Sequence, residues 1–558
     1  MRAASLLRVA ALSAAVLSLG ALPATARATS SPAEVQAAVE KAVDYIRPHQ
    51  DPTTGAFSGF GADLTTIGLA AAGVDAANLR AGVGDPSLQD YLLGEYGSAD
   101  WGDDPPTGLV TDYEQAVLAT YAGGLDPARL SASSNQPAQV AAFWNRANGG
   151  FGDPSTNGTA FGILALATTP LPRWALAPAV SFLRRNQHDD GGWTYTAALT
   201  ANSREAPSEE DISGAAVAAL CEAGVPAYDP AVVAGLDYLR GRLVNASGGI
   251  EYFWGFPPGA PNADTNAWVL DGLNACGIDP QSTEWTTAAG KTPVDYLLSL
   301  QLQSGPEAGG IGYEDSSAGN FYATQDALRA LAGGSFVTAP ASFRAPPAVA
   351  AGTPVPHLLA IELTPGNVRL CKVTAPAGAP LTDLLAAAES GSEPSGCVSS
   401  FSATGGKVDS IDGVEPANAG EAWLLRLDRG ELAVAGEQPV GFGDVVSLRI
   451  GELPASSTTG PTGPTGASGL GGAVGPAGTT GAAGLAGATG KRGAQGRSGH
   501  NVKTRCQVKK RRSGKRRPRC SVRNRAPASR PSRQHGRRTF PVRVPASHSR
   551  RGRAPYRR

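Results

Sequence analysis

Between residues 32 and 331, apolar positions recur every three to four residues in segments of two alternating kinds. One kind carries long anchors. In AVVAGLDYLRGRL (231–243), Val233, Leu236, Leu239 and Leu243 keep this spacing and predict an amphipathic helix. The other kind, such as TAFGILALA (159–167) and SGAAVAALC (213–221), has small or apolar residues on nearly every side, which predicts a helix enclosed by neighbours. A loop of glycine and aromatic residues joins each first kind to its second, as in SADWGDD, NGGFGDPSTNGT, DDGGWTY and GGIGYEDSS. The enclosed helices open at Asp63, Asp112, Asn157, Asp211, Asp264 and Tyr322, spaced 49, 45, 54, 53 and 58 residues apart. Asp, Asn, Ser and Thr at these openings suit helix caps, since their oxygens accept from otherwise unpaired backbone N–H groups. Six such hairpins predict a barrel, with small-residue helices inside and Leu-rich helices outside. Its lumen is expected to be narrow and lined by small, uncharged side chains.

The pattern changes after a Pro, Ala and Gly-rich linker at 334–356. Alternating stretches at 357–363, 368–373, 422–427 and 445–450 predict strands, and 381–388 predicts a short helix, giving a small α+β domain over 357–453. From Gly460 to Gly499 glycine holds every third position, fourteen in all, which is the collagen signature because only glycine fits at the axis of three chains. Pro461, Pro464 and Pro476 are the only prolines in that run. The segment therefore reads either as a homotrimeric rod or as a flexible spacer. Residues 500–558 read as a disordered basic tail. At the other end, Arg2 and Arg8 flank an apolar run over 9–22, and Ala26-Arg27-Ala28 offers a cleavage site, so 1–28 is expected to be a signal peptide.

Charge sharpens this division. All 48 acidic residues lie at or before Glu452, whereas 491–558 holds 25 Lys and Arg and no Asp or Glu. An acidic body with a cationic tail predicts export followed by retention at the cell wall or surface through an anionic polymer. No aromatic interleaving accompanies the charge, so specific nucleic-acid recognition is not expected. Six cysteines in an exported chain suit disulfides. Proximity favours Cys221 with Cys276, Cys371 with Cys397 and Cys506 with Cys520, one of fifteen connectivities.

The loop motif of Gln187, Gly191, Gly192 and Trp193, matched in part at 148–151 and 309–312, resembles the repeat of the prenyltransferase and squalene-cyclase superfamily. That resemblance covers 31–333 and implies an (α/α)6 toroid over 29–333. The order of elements after it, with VEPANAGEAWLLRLDRGE and PVGFGDVVSLRI, resembles the C-terminal domain of transcobalamin-like proteins. The expected fold class is thus multidomain: an all-α toroid, a small α+β domain, a collagen-like repeat and a disordered basic tail.

Two readings of function follow. In the leading one the protein is a non-enzymatic, surface-associated binding or adhesion protein. The transcobalamin-like resemblance implies a corrinoid-like ligand held between the barrel mouth and the small domain, and a glycan suits the same chemistry. Ligand contacts are then expected from Asp112, Tyr113, Gln115, Asn157, Thr159, Asp264, Asn266, Tyr322, Gln325 and Trp423, which combine hydrogen-bonding groups with flat rings. The alternative is a terpene cyclase-like enzyme acting on an isoprenoid. There Glu209, Glu210 or Asp211 of SEEDIS, which resembles the acidic DxDDT motif in charge and final hydroxyl, supplies the proton. A lumen lined by aromatic rings around these acids favours the enzyme, and an Ala/Leu lumen favours binding. The adjacent Asp189 and Asp190 read as loop architecture. No Asp-x-Cys pair supports a prenyltransferase zinc site, no metal site is expected, and no cofactor is named. HExxH, GxSxG and P-loop motifs are absent from the sequence.

Overall fold

A computed structural model describes residues 29–57, 62–102, 108–198, 200, 203–253, 258–390, 397–452, 502–510 and 516–524. The signal-peptide reading and the collagen-like repeat lie outside these residues. Twelve helices build the first region. Outer helices α1 (Pro32–Ile46), α3 (Leu88–Tyr96), α5 (Gln136–Ala142), α7 (Arg173–Arg185), α9 (Pro230–Arg240) and α11 (Pro293–Ser299) alternate with inner helices. The inner set is α2 (Ala62–Ala71), α4 (Val110–Ala122), α6 (Thr156–Ala167), α8 (Glu210–Glu222), α10 (Ala263–Ala275) and α12 (Phe321–Leu331). Each inner helix packs on the next and α12 packs on α2, so the ring closes. Small residues permit this. A Cβ at Gly214 of α8 would lie 2.5 Å from the Trp268 carbonyl of α10, and one at Gly68 of α2 would lie 2.7 Å from that of Gln325 on α12.

The loops lock each hairpin to the following outer helix. Gln187 donates to the carbonyls of Gly191 and of Ala231 on α9, both at 2.8 Å. Gly191 needs its positive φ of 95° and has its Cα against Ala234 of the same helix. Trp193 is fully buried and donates from Nε1 to the Leu183 carbonyl at 2.8 Å. Gln301 and Gly309 repeat the device against Ala38 and Lys41 of α1, which ties the last hairpin to the first. Asp190 accepts from Gly192 N, Ser208 N and Ser208 Oγ at 3.1, 3.1 and 2.7 Å, in keeping with an architectural role. A disulfide between Cys221 and Cys276 joins the ends of α8 and α10.

The second region holds a five-stranded sheet of order β2-β1-β9-β6-β7. Its strands are β1 (Pro354–Thr364), β2 (Asn367–Pro376), β6 (Glu421–Leu427), β7 (Ala433–Val434) and β9 (Val445–Glu452), with β1 parallel to β9 and the other pairs antiparallel. Two short pairs, β3 (Ala379–Pro380) with β8 (Pro439–Val440) and β4 (Phe401–Thr404) with β5 (Lys407–Ile411), lie outside the strands that alternation predicts. Both faces of β1 are buried. Leu359, Ile361, Val446 and Leu448 pack with α13 (Leu381–Ser390), whereas Leu358, Ala360, Leu370 and Val445 join the toroid core through α5 and α7. Arg129 pins the seam, donating to Asp428 at 2.6 Å, Asp444 at 2.9 Å and the Phe442 carbonyl at 2.9 Å. Cys371 and Cys397 form the domain's disulfide.

Residues 461–558 form a separate unit. Within the stretch read as a disordered basic tail, Val502–Lys510 (β10) and Arg516–Asn524 (β11) pair antiparallel. The physical reason lies in the sequence: Val502, Thr504, Cys506 and Val508 alternate with polar residues at period two, and Cys506 stands opposite Cys520 in the register.

Candidate active site at the mouth of the toroid

The lumen is neither uncharged nor lined only by small residues. On α10, Asp264, Trp268 and Asp271 follow one another a turn apart and so share a face. Asp326 and Arg329 do the same on α12. Arg329, fully buried, donates to Asp271 at 2.7 and 2.9 Å and to Asp326 at 3.0 Å, and Asp326 also accepts from Trp268 Nε1 at 3.0 Å. The two carboxylates hold the Arg329 guanidinium firmly charged despite its burial. Its plane lies 4.6 Å from the ring of Phe336, which follows α12. Phe336 meets Phe161 of α6 and Trp268 edge-on, with ring centroids 5.0 and 5.2 Å away, and Phe161 and Trp268 stand 5.5 Å apart. Helices α6 and α10 are separated by α8 in the ring, so these three aromatics span the lumen and form its floor. The linker reading of residues from 334 onward misses this plug. Its signal is Phe336, one of two phenylalanines in a stretch otherwise poor in large side chains.

Above the floor, at the N-terminal ends of α8 and α10, stand Asp211 and Asp264. Burial pushes the Asp211 carboxyl up to about 6, with Glu209 and Glu210 adding to the effect. Burial likewise raises Asp264 to about 7, reinforced by Asp326 and Asp211 and opposed by Arg329. Asp264 Oδ1 is buried without a hydrogen-bond partner. Asp211 accepts from its neighbour Ile212 N at 2.8 Å. Burial raises the Tyr252 phenol to about 12, with Asp211 adding to the effect, and raises Tyr313, which feels both Asp264 and Asp211. The arrangement is a pair of mutually interacting carboxyl groups that hold protons near neutrality, over an aromatic floor, beside two phenols. Such a carboxyl can donate a proton to a bound substrate.

The other acids of SEEDIS do different work. Glu210 is buried and accepts from Tyr238 Oη and Phe253 N, each at 3.0 Å, with Arg242 Nε at 3.6 Å. Glu209 accepts from Tyr195 N at 2.9 Å.

Of the residues expected to contact a ligand, four have partners within the fold. Tyr113 is buried between the rings of Trp101 and Phe143. Thr159 donates to the Ser155 carbonyl at 2.9 Å and accepts from Phe151 N at 3.4 Å. Asn266 accepts from Ile250 N and donates to the Pro293 carbonyl, both at 2.8 Å. Trp423 is fully buried in the core of the small domain. Gln325 is buried and accepts from the Thr65 hydroxyl, and Asp112 accepts from Leu109 N at 2.8 Å. Asp264 alone of the ten joins the carboxyl pair. Asn157 and Tyr322 lie at the first turns of α6 and α12, buried and exposed respectively, and Gln115 is half-buried in the second turn of α4. The small domain packs on α5 and α7, outer helices, through Leu358, Ala360, Leu370 and Val445. Among the described residues no cluster of His, Cys, Asp and Glu could hold a metal ion, and no helix is long and apolar enough to cross a membrane.

No family model matches the sequence, and no curated protein does. Among solved structures, distant matches are found. Haptocorrin in complex with Cbi matches at 12% identity and a TM-score of 0.31, covering 75% of this chain and 98% of its own. The type II terpene cyclase MstE from Scytonema, in complex with merosterolic acid A, matches at 15% identity and 0.36, covering 54% and 97%. A glycosidase matches at 16% identity and 0.37, covering 54% and 96%. Likenesses this distant span both transport proteins and enzymes and decide nothing about activity. The chain's own side chains must carry that argument.

Proposed function

We propose that the toroid is an acid catalyst of the terpene cyclase-like kind, with the Asp211–Asp264 pair as proton source for an isoprenoid. The observation that carries this reading is the pair itself: two half-buried carboxyls at the lumen mouth, raised to about 6 and about 7. In the proposed step a carboxyl proton adds to an alkene carbon. The π pair forms the new C–H bond and leaves a tertiary carbocation, a second alkene closes the ring, and a proton finally returns to a carboxylate. The half-buried ring of Trp268 suits such a cation. The guanidinium beneath that ring is outnumbered by Asp271 and Asp326, so the floor as a whole does not repel the cation. In this reading the protein is exported and held at the cell surface by its basic tail on an anionic wall polymer, with the collagen-like repeat as a spacer or trimeric rod.

The test is incubation of the full chain with polyprenyl alcohols and diphosphates in deuterated buffer, followed by mass spectrometry of the products. Wild type should yield cyclised, deuterium-bearing product, and Asp264→Asn and Asp211→Asn should each lose most of it. A second reading, non-covalent capture of a polar ring such as a glycan at the mouth, draws on the phenols Tyr252 and Tyr313 at the rim and on the shallow depth above the aromatic floor. It is supported instead if no deuterium is incorporated and native mass spectrometry finds an unaltered small molecule retained.

A further inference from the structure

A second site lies away from the lumen, where the small domain meets the start of α7. Arg426 on β6 stands opposite Ser447 on β9, and Arg449 is two residues further along β9 on the same face. With Pro172, Trp174 and Leu432 they enclose a cavity of about 140 Å³. No carboxylate lines it. Glu362, opposite Arg449 in the parallel pair, accepts from Gly366 N at 3.3 Å. Two lining atoms are buried without a hydrogen-bond partner: Arg426 Nε and the hydroxyl of Ser447, a residue only 4% exposed. Leaving a guanidinium N–H and a hydroxyl dry and unpaired is costly, by about 1–3 kcal/mol each, so a ligand that accepts from both recovers that cost. Pro172 and Trp174 belong to the first turn of α7, a thirteen-residue helix with no side-chain cap, and its free N–H groups place partial positive charge at the same spot.

We infer that this seam is a binding site for an oxyanion, a phosphate or carboxylate group, carried on a small molecule whose flat face lies against Trp174. The two arginines and the helix end supply positive charge, Ser447 supplies a neutral donor, and the cavity admits one such group rather than a polymer. Because its walls come from both α7 and the β6–β9 pair, an occupant also ties the small domain to the toroid.

The full chain would be followed by thermal unfolding with inorganic phosphate, sodium glucuronate, glucose or sodium chloride, at matched ionic strength for the salts. A ligand bound only by the folded state raises Tm in a saturable way. The inference expects such a rise with phosphate or glucuronate, and none with glucose or chloride. Arg449→Gln, half-exposed, should keep the wild-type Tm in chloride and lose the response, and Arg426→Gln and Ser447→Ala should weaken it. The basic tail, unchanged in every variant, controls for anion binding elsewhere. No rise with either oxyanion, or a rise of equal size in the Arg449→Gln protein, overturns the inference.

Discussion

Asp190 and Asp211 lie twenty-one residues apart, on the rim and in the lumen of the same hairpin, and differ in what surrounds their oxygens. Asp190 accepts from two backbone N–H groups and one hydroxyl, which hold the loop before α8 in place. Asp211 is more deeply buried yet accepts from one adjacent backbone N–H, and it faces Asp264, whose Oδ1 has no partner. A carboxylate rich in donors stabilises a fold, whereas a buried one short of donors costs stability and is left available to a ligand.

The largest expected break in this contrast is at the floor. Arg329→Met strips Asp271 and Asp326 of their cation, and urea unfolding should show a loss of about 3–5 kcal/mol. Next comes the Cys221–Cys276 disulfide, which joins the ends of two inner helices. Replacing both cysteines with serine should cost about 2–4 kcal/mol by the same measurement, without altering the carboxyl pair. Smaller still, Asp190→Ala should lose about 1–2 kcal/mol while product formation per folded molecule stays at the wild-type level. Asp264→Asn should do the reverse, keeping or raising stability at pH 8 while abolishing product.

The pH dependence separates the two acids further. Burial raises Asp211 and Asp264 above their unfolded values, so the folded state holds their protons more tightly. Their favourable contribution is full below about pH 4 and is lost as pH rises through about 6 and about 7. Unfolding free energy in wild type should therefore decline from pH 5 to pH 8, and the double variant Asp211→Asn/Asp264→Asn should flatten that slope. An unchanged slope would remove the pair from the account.

How much of this the sequence carries depends on the range of the interaction. The hairpins are legible because capping, glycine turns and helical spacing are local, and both disulfides of the first unit follow from proximity along the chain. Even there, α9 buries Val232 and leaves Val233 40% exposed, a one-residue rotation that periodicity alone cannot settle. The lumen is the opposite case. Arg329 and Asp271 are 58 residues apart, and their pairing exists only because the ring closes. A helix that averages as small and apolar, such as α10, can still place Trp268 and two aspartates on one inward stripe. Trp423 shows the converse: a flat ring in the small domain reads as a ligand contact, and the domain's core with α13 buries it.

The most direct test is a carbon-13 NMR titration of aspartate side-chain carboxyls in the full chain, with resonances assigned through Asp211→Asn and Asp264→Asn. The account predicts that the Asp211 and Asp264 carboxyls titrate near 6 and near 7, beside Asp271 near 7, and that Asp264 shifts when Asp211 is replaced. If every aspartate carboxyl titrates below pH 5, the lumen holds no proton to give near neutral pH, and the proposed acid chemistry is wrong.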